Sequence, residues 1–272
     1  MFKGAEAMSD SSPSDVLRGL FHDRTGCSTL RQDKYKIILK CAAPGRTSFP
    51  LFVKIYQPRG LLGSLRDSLG FSGGSRSLRM ARRLAGLGIP VPRPYGAITN
   101  VNRIGWPSGS LFAAEWMEHM VPLREFTRDA SRKGAQEQDV FAPLNHSLGR
   151  FVALLHNKGV RSKDLNDGNF LVRRSDDGSF QIMLIDYEYT ELVRSFKLKW
   201  RLGNLAQVTA CMLPFGEHAP EQVCAGYASA ITGFPADALA REVRARAVSL
   251  LARWKKNIDS RFDQIEARRT SS

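Results

Sequence analysis

No run of apolar residues in this sequence is long enough to span a bilayer, and its start, MFKGAEAMSDSSPSD, lacks the apolar stretch of a secretory signal. A cytoplasmic location is therefore expected. Cysteine is sparse: Cys27, Cys41, Cys211 and Cys224 form no C-x-x-C pair and lack the histidine spacing of a zinc site. They read as reduced thiols in the core or near the surface. There is no C2H2 pattern, RNP signature or basic zipper, so specific nucleic-acid recognition has no motif behind it. Acid is scarce as well, since 26 Asp and Glu stand against 40 Lys and Arg, a net charge of +14. Such an excess attracts polyanions, whether a phosphorylated substrate, an anionic membrane surface or nucleic acid, and it argues against an acid-rich pocket for cationic substrates.

What is present is a chain of 272 residues, 43% hydrophobic, enough for a substantial core in one domain or in two lobes sharing a cleft. Residues 1–15, rich in Ser, Asp and Pro, read as a flexible end. The β-rich runs KYKIILK (34–40) and FPLFVKIY (49–56), joined by the turn-like CAAPGRTS, read as a hairpin with Lys54 in its second strand. A lysine there equally suits the wet face of a half-exposed strand. After Gly- and Ser-containing sequence from Gly60 to Ser75, Leu78, Ala81, Leu84 and Leu87 recur at helical spacing, and Gly88 with Pro90 supplies the stop. The strand-like SLFAAEWMEHM, ending near Glu115 to His119, reads as a connector between lobes. A helix follows in LNHSLGRFVALLHNKGV, with Leu144, Leu148, Phe151, Leu154 and Leu155 on one face. His156 on it reads as a packed or capping histidine rather than a general base.

Directly after that helix comes VRSKDLNDGNFLV, where Asp164 and Asn169 interrupt apolar sequence. Each residue alone suits an ordinary turn or cap. The next runs, FLV and FQIMLIDY, are separated by RRSDDGS, and Asp-Gly between such runs signals a hairpin. A turn centred on Asp177 and Gly178 puts Asn169 and Asp186 at mirrored positions, about 5 Å apart across the ribbon. Two oxygen-bearing side chains then meet beside Asp164, the kind of donor a magnesium ion takes while keeping positions open for phosphates. The order D-x-x-x-x-N, hairpin, D is that of the protein-kinase set, and Val53-Lys54-Ile55-Tyr56 parallels the kinase strand lysine. The usual His-Arg is replaced by Ser162-Lys163, and the metal-binding tripeptide reads Asp186-Tyr187-Glu188.

On these residues the chain resembles the lipopolysaccharide kinase family, small bacterial kinases that phosphorylate heptose or Kdo sugars of the lipopolysaccharide core. The resemblance runs from about Phe52 to Leu205 through VKIY, LAGLGIPVPRP, LHNKGVRSKDLNDGNFLV and IMLIDYEYTELVRSFKLKWRLGNLAQV. It implies an α+β, two-lobed protein-kinase-like fold, with a small β-rich N-lobe (16–117) for nucleotide and a helical C-lobe (118–272) for catalytic loop, metal and acceptor. ATP and Mg2+ are the implied cofactors. Asp164 matches the catalytic aspartate, Lys54 the nucleotide-phosphate lysine, and Asn169 and Asp186 the metal-holding pair, with Glu115 and Met117 as further nucleotide contacts in the connector. The implied acceptor is a sugar hydroxyl of a lipid-linked or phosphorylated glycan at the cytosolic membrane face. The alternatives are another small-molecule phosphotransferase, of the aminoglycoside or choline kinase kind, and a non-catalytic kinase-like binding module.

Two departures stand out. No G-x-G-x-x-G loop precedes Lys54, and the helix SRSLRMARRLAG, expected to supply its acidic partner, contains no acid. Asp67, Glu115 and Glu118 are the substitutes the sequence offers. The C-terminal ADALAREVRARAVSLLARWKKNIDSRFDQIEARR keeps a helical stripe of Leu239, Val243, Leu250, Trp254, Ile258, Phe262 and Ile265 among many cations. Its plainer reading is a packed helix with a solvated basic face; the competing reading is a surface that meets anionic head groups.

Overall fold

The structure, a computed structural model, describes residues 12–43, 47–57, 72–101, 107–134 and 137–270, without the side chains of 100–101, 107–108, 137–138 and 257–270. Residues 1–11 of the expected flexible end, Asp67 and most of the Gly60 to Ser75 segment lie outside the described residues. The chain divides into two compact units, Met1–Met117 and Glu118–Ser272.

The first unit opens with helix α1 (Pro13–His22), so residues 13–15, expected in the loose end, are helical. Ser12 and Asp15 make this start: the Ser12 N–H donates to the Asp15 carboxylate, and proline occupies the first helical position, where no N–H is needed. Strands β1 (Cys27–Gln32), β2 (Lys36–Cys41) and β3 (Leu51–Tyr56) follow, then α2 (Gly73–Gly86), β4 (Pro94–Val101) and β5 (Pro107–Glu115). The antiparallel sheet runs β1-β2-β3-β5-β4. Period-two alternation decides its faces. Ile37, Leu39 and Cys41 join Leu51, Val53, Ile55, Leu111 and Ala113 under Leu17 and Leu20 of α1, forming the core. Lys54 lies on the other face, opposite Ile38 on one side and Phe112 on the other. Helix α2 packs on the sheet by its glycine-rich start, where a Cβ on Gly74 would stand 2.5 Å from the Leu111 carbonyl oxygen.

One expectation fails here. Cys27 and Cys41 are not free thiols; they sit directly opposite each other in the β1–β2 ladder and form a disulfide. Their separation of 14 residues matches no spacing rule, and β1 carries almost no apolar alternation, so the pairing had no sequence signal. Cys211 and Cys224 are free.

The second unit contains β6 (Val121–Pro122), α3 (Leu123–Arg132) and a π-helical turn (Glu137–Phe141) leading into α4 (Ala142–Asn157). Next come β7 (Val160–Ser162), a 3-10 turn (Asp167–Asn169), β8 (Phe170–Arg174), β9 (Phe180–Leu184) and β10 (Thr190–Leu192). Helices α5 (Leu198–Met212), α6 (Ala219–Ala230) and α7 (Ala236–Thr270) complete it. The strands form a three-stranded sheet, β6-β8-β9, and a pair, β10-β7. Helix α4 buries Leu144, Leu148, Phe151 and Leu155 as its spacing predicts. It packs against α6 at glycines: a Cβ on Gly149 would meet the Val223 carbonyl oxygen at 1.9 Å, and one on Gly226 the His146 carbonyl oxygen at 2.0 Å. Of the α7 stripe, Leu250 and Trp254 pack, with Leu251, against Ala206 and Ala210 of α5, while Ile258, Phe262 and Ile265 lie outside the described side chains. On its polar side Arg244 pairs with Glu221 and Arg246 with Glu242, while Arg253, Lys255 and Lys256 are exposed. Among the described residues no helix is long and apolar enough to cross a membrane.

Candidate active site

The segment between β7 and β8 is held by its own side chains. Asn166 caps the 3-10 turn, its Oδ1 accepting from the Gly168 N–H at 2.9 Å, and its Nδ2 donates to Asp164 Oδ1 at 2.7 Å. Asn169 donates its Nδ2 hydrogen to the Asp164 carbonyl at 3.0 Å. The Ser162 hydroxyl bonds the backbone of Asp164 as well. Asp167, within the turn, receives a two-pronged bond from Arg124 of α3 at 2.7 and 3.0 Å, which ties the loop to that helix. Asp164 is thus fixed at both its backbone and one carboxylate oxygen. Its Oδ2 has no hydrogen-bond partner among the described residues.

The β8–β9 hairpin places Asp186, though not as its sequence predicts. Phe170 pairs with Leu184, so Asn169 aligns with Ile185 and not with Asp186. The connection is a three-residue loop, Asp176 to Gly178, closed by Ser175 N–H donating to the Ser179 carbonyl, with Gly178 at φ +81°. Asp177 accepts from both the backbone and the hydroxyl of Ser179, which favours this loop over a two-residue turn. The extra residue moves the register by one. The Ile185 N–H still donates to the Asn169 carbonyl at 3.0 Å, so Asp186 begins where the ladder ends, next to Asn169. Asp186 Oδ1 accepts from the Glu188 N–H at 3.4 Å.

These residues fit magnesium. Asn169 is 7% exposed, and with its Nδ2 committed to Asp164 its Oδ1 is the acceptor left for a cation. A carboxylate and an amide oxygen are hard donors, and few protein ligands with open positions is the habit of magnesium on a phosphate-bearing substrate. Among the described residues no group of three or more His, Cys, Asp or Glu could hold an ion alone. An ion here would draw its remaining oxygens from water and phosphate.

Cations and rings surround the loop. Lys163 is exposed, with its Nζ 3.4 Å from Glu191 Oε2, and its N–H donates to the Tyr189 carbonyl, joining the loop to the chain after Asp186. Arg161 pairs with the same Glu191 and lies 4.2 Å from the Trp200 ring centroid. Burial raises the Glu191 carboxyl, but hydrogen bonds from Arg161 and Lys163 outweigh it and hold the group below its usual range. His156 is buried between Tyr227 OH at 2.9 Å and Asn204 Oδ1 at 3.2 Å. Burial, aided by the nearby Arg201 charge, pushes its pKa down to about 3 against the Asn204 hydrogen bond, so it is a neutral packed histidine as expected.

In the first unit Lys54 is 5% exposed, with its Nζ 5.4 Å from the Tyr56 ring centroid, where a cation is attracted to the ring face. Tyr56 in turn shares a 2.8 Å hydroxyl bond with Ser77 of α2. The acid-free helix is therefore joined to β3 by a neutral pair. Glu115 does not face Lys54. It stands opposite Leu51, on the other side of the sheet, and its carboxylate pairs with Arg93 at 3.3 Å. Glu118 is exposed. Met117 makes no backbone-to-backbone hydrogen bond among the described residues. The β1–β2 turn also departs from a phosphate-cradling loop: Asp33 Oδ1 accepts the Tyr35 and Lys36 N–H groups at 2.9 Å each, so an internal carboxylate takes the donors.

The model of the lipopolysaccharide kinase (Kdo/WaaP) family matches residues 54–227, a span that includes Lys54, Asp164, Asn169 and Asp186. Among solved structures, WaaP in complex with acyl carrier protein matches with a TM-score of 0.56 at 19% identity, over 85% of this chain and 88% of that one. At that identity the likeness speaks for the fold, a kinase-like α+β architecture. No curated protein sequence matches. With well over half of its length inside the family model, the chain belongs to the lipopolysaccharide kinase (Kdo/WaaP) family.

Proposed function

We propose that this kinase transfers the γ-phosphoryl group of ATP to a hydroxyl of a heptose or Kdo sugar in the lipopolysaccharide core, at the cytosolic face of the membrane. The observation that carries the reading is the anchoring of Asp164, with Oδ1 bonded to Asn166, its carbonyl to Asn169, and Oδ2 left to accept a proton. Phosphoryl transfer asks a protein mainly for positioning and charge neutralisation. Asp164 Oδ2 orients the sugar hydroxyl and takes its proton as the new O–P bond forms and the bond to the β-phosphate oxygen breaks, releasing ADP. Lys54 orients the α and β phosphates, and the Met117 peptide meets the base. Magnesium held by Asp186 and Asn169 would neutralise the charge of the β and γ phosphates. Exposed Arg253, Lys255 and Lys256 on α7 support a peripheral membrane association.

The test is direct. Purified protein is incubated with labelled ATP, magnesium and deacylated core oligosaccharides, and the products are analysed for the sugar that gains phosphate. Label on Kdo or heptose is expected. Tight ATP binding without transfer to any core sugar would favour the non-catalytic module, and transfer to choline or an aminoglycoside the other phosphotransferase class.

A further inference from the structure

We infer that Gln207 on α5 is a positioning residue for Asp164: its side-chain amide clamps the peptide groups on both sides of that aspartate. Gln207 Nε2 donates to the Lys163 carbonyl at 2.8 Å, and Gln207 Oε1 accepts from the Leu165 N–H at 3.2 Å. An amide carries a donor and an acceptor side by side, so it can satisfy a carbonyl and an N–H two residues apart as a neighbouring strand would. Asp164 is the residue between them. A leucine of similar size offers neither group, and an ionised glutamate offers acceptors only.

The clamp is itself braced. Asn204, one helical turn earlier on the same face of α5, donates its Nδ2 to the Ser162 carbonyl at 2.6 Å and to Gln207 Oε1 at 3.2 Å. It is 4% exposed. Its Oδ1 faces His156 Nε2, and His156 Nδ1 faces the Tyr227 hydroxyl, which receives a bond from Arg201 Nη1 at 2.6 Å. With His156 neutral, the donors run in one order. Arg201 donates to Tyr227, Tyr227 to His156, His156 to Asn204, and Asn204 to Gln207 and the loop. Reversing any amide would place like against like, so the chain fixes which atom Gln207 turns to each peptide group. The carbonyls of Ser162 and Lys163 and the N–H of Leu165 are thus all held from α5.

This inference rests on the reading of Asp164 as the catalytic base, and its test separates the two. Gln207→Leu removes both bonds; Gln207→Glu keeps the acceptor for Leu165 and sets a carboxylate against the Lys163 carbonyl. Either variant should lower the single-turnover rate by about 10- to 100-fold, the scale of a small misplacement of a catalytic group, with KM for ATP unchanged. In an Asp164→Ala background Gln207→Leu should cause no further fall, because a residue acting through Asp164 has nothing left to position. An equal fall in both backgrounds overturns the inference in favour of general structural support. Hydrogen exchange of the Leu165 amide supplies a readout that needs no activity: faster exchange in Gln207→Leu is expected, and unchanged exchange also overturns the inference. An inactive parent whose Leu165 protection still depends on Gln207 would overturn the kinase reading and leave the clamp standing.

Discussion

His156 sits where a sequence reader first looks for a general base, at the end of a helix leading into a catalytic loop, and its surroundings deny it that role. An imidazole with a folded pKa of about 3 is too weak a base to take up a second proton at neutral pH, and its one lone pair is engaged by Tyr227 while its N–H donates to Asn204. Its chemistry is felt in stability. The unfolded value is 6.5, so between pH 6.5 and about 3 the unfolded chain binds a proton that the folded chain refuses. Its contribution is fully present above pH 6.5 and is lost as pH falls through that window. At pH 5 the loss is about 2 kcal/mol, from 1.36 kcal/mol per pH unit. Urea unfolding at pH 7 and pH 5 should show this difference in the parent and a smaller one in His156→Gln. An unchanged difference would assign the acid sensitivity to other groups.

At the scale of elements, the α4–α6 contact depends on two glycines that let backbones touch. Gly226→Ala would put a methyl 2.0 Å from the His146 carbonyl oxygen, a clash with backbone that no side-chain rotation relieves. Forced overpacking of this kind costs about 3 kcal/mol. A denaturant midpoint within error of the parent would show that the helices part easily. The β1–β2 hairpin carries the other element-level prediction. Thiol labelling of denatured, unreduced protein should find two cysteines, Cys211 and Cys224, and four after reduction. Closing a loop of this length is worth about 3 kcal/mol in the chain-entropy view, so reduction should also lower the melting temperature. Four reactive thiols before reduction would refute the bond.

The same elements show what was legible and what was not. Helix α4, the β2–β3 hairpin and the described part of α7 were readable because their apolar residues recur at the period of the element and turn to a core within their own unit. The β8–β9 hairpin was readable as a hairpin, but its register turned on whether the loop held two residues or three. That choice was made by Asp177 bonding Ser179, a contact with only a weak local signal. Of the site, Asp164, Asn169 and Asp186 stood out by order and spacing. Gln207, Asn204 and the Tyr56–Ser77 pair did not, because each acts across a long sequence separation, and a lone amide or hydroxyl on an amphipathic element reads as surface. Asn204 and Gln207 do lie in the GNLAQV run that carries part of the family resemblance, which is the one hint available.

For the molecule as a whole, the unanswered quantity is its charge of +14. Pairing removes some candidates: Arg244 and Arg246 spend their charge on Glu221 and Glu242, and Arg161 and Lys163 share Glu191. Arg253, Lys255 and Lys256 are different, exposed in succession beside Trp254, which is turned inward. A cation close to an anionic leaflet contributes about 1 kcal/mol, so three together amount to roughly 100-fold in partitioning. That would be enough to concentrate the kinase at the membrane where the proposed lipid-linked acceptor would lie. Binding to vesicles containing an anionic phospholipid should therefore exceed binding to neutral vesicles at low salt. It should weaken as salt rises past roughly 0.15 M, where the Debye length falls below about 8 Å. Reversing Arg253, Lys255 and Lys256 to glutamate should reduce it further while leaving ATP affinity unchanged, because none of the three belongs to the nucleotide-binding set. Equal sedimentation with anionic and neutral vesicles at low salt would make this face a solvated surface only and overturn the membrane proposal.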